Sequence, residues 1–279
     1  MKKKNWSNII LIVVFFVGLS VLLYPTVSDY WNSLHQSRAI ATYSDAVEEM
    51  DTSDYERMWA EADAYNEELY ESGHGLGLAE DEKKEYDSIL DVSGTGIMSY
   101  IEIPSIKCSL PIYHGTDEAV LQIAVGHIEG SSLPVGGVNT HCVLSGHRGL
   151  PSAKLFSDLD KLEEGDLFMI RTLNQTLTYE VDQIRIVLPE EIDDLEIVEG
   201  EDLCTLVTCT PYGINTHRLL VRGHRTKYVE EKVEEQKDVQ TKKMDTRLLI
   251  AGAAGAVILA VIIIAVVIRR RKRRRNQQR

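Results

Sequence analysis

The stretch Thr205-Leu206-Val207-Thr208-Cys209-Thr210-Pro211 (TLVTCTP) is an apolar, β-branched run that ends on a cysteine and passes at once into a Pro-Tyr-Gly turn. β-Branched side chains suit a pleated, half-buried backbone, and proline with glycine marks a chain that must turn. The run therefore reads as a strand that delivers a thiol to a strand-to-loop junction, where a substrate can reach it. An ionised cysteine is a good nucleophile, but it needs a base or a positive charge nearby to be activated. A cysteine at a strand end is more often structural, so its partners decide the reading.

Two segments supply candidate partners. Val143-Leu144 leads into Ser145-Gly146-His147-Arg148-Gly149, which sets His147 just past another strand end, and histidine performs acid/base chemistry near neutral pH. Asn215 to Gly223 (NTHRLLVRG) begins a strand that places Arg218 nine residues after Cys209. A hairpin of that length returns Arg218 to the side of the thiol, where a permanent guanidinium charge stabilises both a thiolate and an oxyanion. Arg222 falls on the same strand face and is the rival for that role. Thr208 is read either as a hydrogen-bonding group in a substrate groove or as plain strand packing. His217 points to the opposite face, and His114, His127 and His141 are read as structural.

Working outward, alternating or apolar runs predict strands at Met98–Ile103, Cys142–Leu144, Leu167–Arg171, Leu177–Val181, Ile184–Leu188, Leu203–Thr208 and Arg218–Val221. Many short strands at this spacing indicate an all-β barrel or sandwich. Upstream, Ile40, Tyr43, Val47 and Met50 recur at threes and fours, which predicts helix between about Tyr30 and Tyr70. Asp51 to Asp54 interrupts it, with Ser53 and Glu56 as a capping box for a second helix, and the pair is expected to form a stalk or to pack on the main domain. Ser72 to Glu85 reads as a mobile linker, and Lys227 to Lys243 as a charged connector.

Both ends carry apolar runs without charge, Asn8–Tyr24 and Leu248–Ile268. The second is long enough to cross a hydrocarbon core of about 30 Å. The first lacks a pair of small residues for cleavage after it and reads as an uncleaved signal anchor. Lys2 to Lys4 precede the first run and Arg269 to Arg275 follow the second, which predicts two spans with both termini cytoplasmic. The net charge of −13 hides this asymmetry. The two tails hold 11 of the 30 basic residues and none of the 43 acidic ones, which leaves the segment between the spans at a formal −24. An acidic body argues against a nucleic-acid partner. The four cysteines, Cys108, Cys142, Cys204 and Cys209, are too sparse for a disulfide scaffold and lack the spacing of a zinc site. Cys108 reads as a small core residue. Cys142 and Cys204 each lie five residues before His147 and Cys209. They are read as buried free thiols, with a disulfide as the other possibility if their strands are neighbours.

TLVTC, the arginine nine residues later in NTHRLLVRG, and SGHRG upstream together resemble the signature of the sortases. The fuller strings IEIPSIKCSLPIYHGT (101–116), VGHIEGSSLPVGG (125–137) and LSGHRGLPSAKLF (144–156) resemble the class C, pilus-assembling group. The resemblance runs from about Gly96 to Arg225. It implies a mainly-β, closed eight-stranded barrel with N-terminal helices and two flanking transmembrane helices. It maps the nucleophile onto Cys209, the acid/base onto His147 and the substrate-stabilising arginine onto Arg218. It also implies cleavage of an LPxTG-like sorting signal between Thr and Gly through a thioacyl enzyme, with transfer to a pilin lysine and no metal or organic cofactor. The expected partners are pilin or surface-protein substrates and membrane lipid. The expected division is a basic N-terminus (1–7), a signal anchor (8–24), a helical and lid-like region (25–93), a catalytic barrel (94–226), a charged linker (227–247), a second span (248–268) and a basic tail (269–279). Two alternatives stand beside it: a sortase that anchors proteins to peptidoglycan, and a catalytically silent membrane-tethered adaptor. Class C sortases often carry a lid with an Asp-Pro-aromatic motif, and no Asp-Pro dipeptide occurs in this sequence.

Overall fold

The computed structural model describes residues 6–236 except 74, 229, 231 and 235. The chain divides into two units, Met1–Glu230 and Glu231–Arg279; of the second, residues 232–234 and 236 are described, and they are helical. The expected second span (248–268) and basic tail (269–279) lie outside the described residues.

Eight strands close into a barrel: β1 (Ile97–Ile103), β2 (Cys108–His114), β3 (Val125–His127), β4 (Thr140–Ser145), β5 (Leu167–Thr172), β6 (Gln175–Val187), β7 (Asp202–Thr210) and β8 (His217–Thr226). Their order around the barrel is β1-β2-β3-β4-β7-β8-β6-β5, and β5 pairs back onto β1. Closure leaves no open sheet edge, which is how a small sheet avoids edge-to-edge association. Ile101, Ile112, Leu144, Phe168, Tyr179, Leu206 and Val221 fill the interior, with the Phe168 and Tyr179 rings stacked 5.4 Å apart. The mainly-β barrel expected from the sequence is what forms. Two strand candidates, Leu177–Val181 and Ile184–Leu188, prove to be one 13-residue strand, β6, bent at an irregularity between Val181 and Gln183.

Helix α1 (Trp6–Glu48) runs without a break through Pro25, so the apolar run and the later helical segment are one element. Among the described residues it is the one helix long and apolar enough to cross a membrane. Helix α2 (Thr52–Ser72) starts two residues earlier than expected. Its cap is Asp51, whose carboxylate accepts the Asp54 amide at 3.0 Å, and Ser53 spends its hydroxyl on that same carboxylate. Residues 80–85, expected to be linker, form helix α3 (Glu80–Tyr86) together with Tyr86. A short α4 (Glu118–Leu121) joins β2 to β3.

Each of the three N-terminal helices is pinned to the barrel by a buried polar side chain. The Tyr43 hydroxyl donates to Met98 O (3.1 Å) and accepts the Leu173 amide (2.8 Å). Asn66 donates to Leu133 O (3.3 Å) and accepts the Leu133 amide (2.7 Å). The Tyr86 hydroxyl meets His127 Nδ1 (2.8 Å) and accepts the Gly115 amide (3.1 Å). The helices pack on the main domain and form no stalk.

Buried His141 makes the fold sensitive to acid. Its Nδ1 faces Glu196 O at 2.7 Å and so carries the proton, while Nε2 accepts the Thr205 hydroxyl at 2.7 Å. Burial lowers its pKa below 6.5, as it does for His114. The unfolded chain then binds protons first as pH falls, so this stability is complete above about pH 6.5 and lost below it, well before carboxylates titrate at about 4. Thermal unfolding should give a Tm that is flat above neutrality and declines below pH 6.5. In His141→Gln the neutral-pH Tm should be lower and the acid slope shallower; an unchanged slope would remove His141 from this role.

Candidate active site

β7 is paired on both sides. It runs parallel to β4, with Cys142 opposite Cys204 and Ser145 opposite Val207, and antiparallel to β8, with Cys209 opposite Arg218. Side chains alternate along a strand, so Val207 and Cys209 share a face, and Leu220 and Arg218 share it on β8. Val207 and Leu220 belong to an apolar cluster with Val143, Val187 and Leu195, separate from the barrel interior. Cys209 and Arg218 therefore stand side by side on the outer wall, both part-exposed.

His147 reaches the same place through β4. The Gly146 amide donates to Val207 O (3.0 Å) and the Thr208 hydroxyl donates to Gly146 O (2.7 Å). The parallel register thus continues past Ser145 and brings His147 out level with Cys209. Glycine is required at 146, since a Cβ there would stand 2.6 Å from the Phe156 ring. The Phe156 amide in turn donates to His147 O (3.1 Å), closing the turn after the histidine. The three side chains singled out in the sequence converge at one end of the barrel.

Thr208 is 2% exposed, and its hydroxyl holds Gly146 inside the fold. Of its two readings, the geometry gives it the structural one. Arg222 is committed elsewhere, since Nε and Nη2 bond both carboxylate oxygens of Asp182 at 3.1 and 3.0 Å. Arg218 forms no ion pair among the described residues; its Nη1 turns back to the carbonyls of His217 (3.2 Å) and Asn215 (3.4 Å). A charge held only by nearby carbonyls is available to an incoming oxyanion in a way the Arg222–Asp182 pair is not.

Arg148 is the feature that sequence reasoning missed, although it stood within SGHRG. Its side chain is 10% exposed, pairs with Asp160 and donates from Nη1 to Thr210 Oγ1 at 3.2 Å. It ties the residue after His147 to the residue after Cys209. The signal was a cation placed beside a histidine at the foot of an apolar strand, where an unpaired charge is costly.

Cys142 and Cys204 are set apart by burial, whereas Cys108, expected in the core, is part-exposed at the start of β2 and packs against the core from its edge. Burial pushes the Cys108 thiol up to about 12. Cys142 and Cys204 face each other across β4 and β7, both buried and both free. Burial holds Cys204 well above the ordinary thiol range, and its hydrogen bond with Cys142 adds to that. His127 is wholly buried between Tyr86, Ser131 and Ser132, and His114 bonds the Ile89 and Gly96 carbonyls.

Residues 76–79, before α3, meet the outer face of the barrel that carries Cys209. Leu76, with Ile128, packs on Val143, Val187, Leu195, Val207 and Leu220, the apolar floor that continues toward Cys209. The Gly77 amide donates to Glu129 O (2.8 Å), and Lys83 pairs with Glu129. A cavity of about 310 Å³ lies here, lined by Leu69, Gly75, Leu76, Ser131, His141 and Leu195.

Comparison with known proteins agrees with this geometry. The sortase domain family matches residues 101–226. Sortase D of Bacillus subtilis is 32% identical over 128 residues, and sortase A of Streptococcus agalactiae is 29% identical over 134. These alignments span 45% and 47% of this chain, and 62% and 53% of the relatives' own lengths. Among solved structures, sortase C1 of S. agalactiae is 55% identical with a TM-score of 0.67, over 69% of this chain and all of that one. Sortase C of Streptococcus pneumoniae is 45% identical with a TM-score of 0.63, over 68% of this chain and 97% of that one.

The four thiols should differ sharply in reactivity. Brief iodoacetamide treatment of the folded protein near pH 7 should alkylate Cys209 at least tenfold faster than Cys108, Cys142 or Cys204. Peptide mass spectrometry reads the difference, which should vanish in denaturant; comparable rates in the folded state would contradict this sorting.

Proposed function

The chain belongs to the sortase family, and from that premise we propose that it is a class C transpeptidase that joins pilin subunits, with Cys209, His147 and Arg218 as its catalytic residues. The observation that carries the reading is the register that sets Arg218 directly opposite Cys209 while β4 brings His147 level with both. The S. pneumoniae relative, whose structure addresses pilin substrate specificity, supports the choice of substrate.

The Cys209 thiolate attacks the carbonyl carbon of Thr in an LPxTG-like sorting signal. Negative charge moves to the carbonyl oxygen, where the Arg218 guanidinium stabilises it. His147 protonates the departing Gly amine, the C–N bond breaks, and a thioester to Cys209 remains. A pilin lysine amine then attacks the thioester and gives its proton to His147. The thiolate leaves, and an isopeptide bond joins the subunits. The −24 segment containing the site lies outside the cell in this reading, with 8–24 as anchor, 248–268 as second span and both basic tails inside. The basic flanks of the two apolar runs support that orientation.

Residues 25–93 serve as cover as well as support. Although the Asp-Pro anchor is missing, Leu76 packs on the apolar cluster that includes Val207, two residues before Cys209 on the same strand face, and a sorting signal's own apolar side chains must use that surface.

Incubating the full chain in membranes with an LPxTG-bearing pilin should give a covalent ladder on denaturing gels. Cys209→Ala should abolish it. Arg218→Ala should lower kcat/KM by roughly 10²–10³-fold, whereas Arg222→Ala should cost about 1 kcal/mol of stability and little turnover. Cleavage without a ladder would favour the wall-anchoring alternative. A second expectation concerns the cover: Leu76→Gly should raise kcat/KM on a short sorting peptide severalfold with Tm nearly unchanged, and an unaltered rate would show that the segment does not obstruct the groove.

A further inference from the structure

The strand directions fix which end of the barrel carries the site. α1 meets the barrel first at Asp29, whose carboxylate accepts the Lys154 amide (2.7 Å), and at Asn32, which donates to Ser152 O (2.7 Å). Residues Ile106 to Leu110, around the start of β2, line a cavity with Asp29, Ser33 and Gln36. Tyr43, about two to four turns further along α1, reaches Met98 and Leu173 instead. β2 therefore starts at the end of the barrel nearer the apolar run and leads away from it. β3 is parallel to β2, β4 antiparallel to β3, and β7 parallel to β4. Both β4 and β7 consequently run back toward the apolar run, and they deliver His147 and Cys209 to that end. The connection after His147 agrees, since Arg148 bonds Thr210 while Ser152 and Lys154 bond α1.

The height is short. Asp29 lies five residues past Tyr24, the last residue of the apolar run, which is about 7.5 Å of helix. From the end of that run onward, Tyr24, Val27, Trp31 and Leu34 recur at threes and fours on the helix face turned away from Asp29 and Asn32. They are 56, 63, 63 and 49% exposed. At the same end, the β7–β8 connection exposes Tyr212 and Ile214 by 62 and 67%. The Tyr212 ring stands over Gly149, where a Cβ would come within 2.9 Å of it.

We propose that this end of the barrel rests on the lipid bilayer, with Ile214 and Tyr212 in the interfacial layer and the Tyr24–Leu34 stripe extending the lipid-facing surface of α1. The inference rests on reading α1 as a membrane anchor. Lipid is the occupant because the stripe is continuous with the apolar run, and because tyrosine and tryptophan favour the boundary between hydrocarbon and water. Cys209 then opens at the membrane surface, and a substrate tethered in the same bilayer meets it by diffusion in two dimensions.

The test uses the full chain in phosphatidylglycerol–phosphatidylcholine vesicles, with Ile214→Trp introduced and Trp6→Phe, Trp31→Phe and Trp59→Phe removing the other indoles. The introduced indole should be quenched at least twofold by lipids carrying a nitroxide near the headgroup and should resist aqueous iodide. Quenching by iodide but not by lipid, with the chain still floating with the vesicles, overturns the inference and leaves the anchor intact. Failure to float overturns the anchor reading and the inference with it. Protection from iodide that grows only with protein density marks contact between copies and also overturns it. As a second measurement, Ile214→Ser should slow turnover of a bilayer-anchored sorting-signal substrate at least threefold and leave a soluble peptide unaffected; equal losses on both count against lipid contact.

Discussion

The site depends on one strand being paired on both sides in a fixed register. β7 takes its parallel partner from β4 and its antiparallel partner from β8. Because side chains alternate with a period of two, a slip of one residue on either side would turn Cys209 into the barrel and Leu206 out of it. That slip is opposed along the whole strand. Cys204 and Leu206 are fully buried on the inner face, and each buried aliphatic side chain contributes about 1.5–3 kcal/mol. Core packing thus sets the geometry of the candidate site on the other side of the same backbone. Thr208 extends this control past the end of the ladder, where its hydroxyl bonds Gly146 and fixes the exit angle of His147.

The N-terminal helices are held by a second set of constraints, buried polar groups that are satisfied in only one arrangement. An unpaired buried hydroxyl or amide costs about 1–3 kcal/mol. Tyr43, Asn66 and Tyr86 avoid that cost by bonding barrel backbone or His127. These bonds make the helices part of the domain, and they carry position from α1 into the site. Asp29 and Asn32 hold the connection whose first residues are His147 and Arg148.

The strands that bear the chemistry were legible because they are runs of β-branched and apolar residues ended by glycine, proline or asparagine. β7 and β8 are of this kind, and the nine-residue interval was enough to bring Arg218 to Cys209. β2 and β3 escaped notice for physical reasons. β2 carries Pro111 and a polar start at Cys108-Ser109, and β3 is three residues long, too short for any alternation to register. β6 looked like two strands because its irregularity at Val181/Gln183 shifts the phase of the pattern. The helical cap went to Asp51 instead of Ser53 because a carboxylate two residues earlier accepts the Asp54 amide and the serine hydroxyl together. The linker reading failed at residues 80–85, where local composition is strongly charged and the residues that dock the helix, Lys83 and Tyr86, do so through contacts distant in sequence. Leu76 was unreadable for the same reason, since the apolar cluster it packs against is assembled from β4, β6, β7, β8 and the connection before β7.

The four cysteines show why residue identity alone underdetermined the nucleophile. β4 and β7 each carry a cysteine five residues before a site residue, and an odd interval on a strand reverses the face. Cys204 must therefore lie inside if Cys209 lies outside, and Cys142, its register partner, lies inside with it. Loss of water around the charged form is what raises Cys204 and keeps that thiol from ionising. On the outer face the same thiol chemistry meets solvent, a guanidinium directly opposite and an imidazole level with it. A single strand thus makes one cysteine inert and another accessible through parity. The spacing in the sequence already contained that distinction, but it could be read only once the strand was known to be continuous from Asp202 to Thr210.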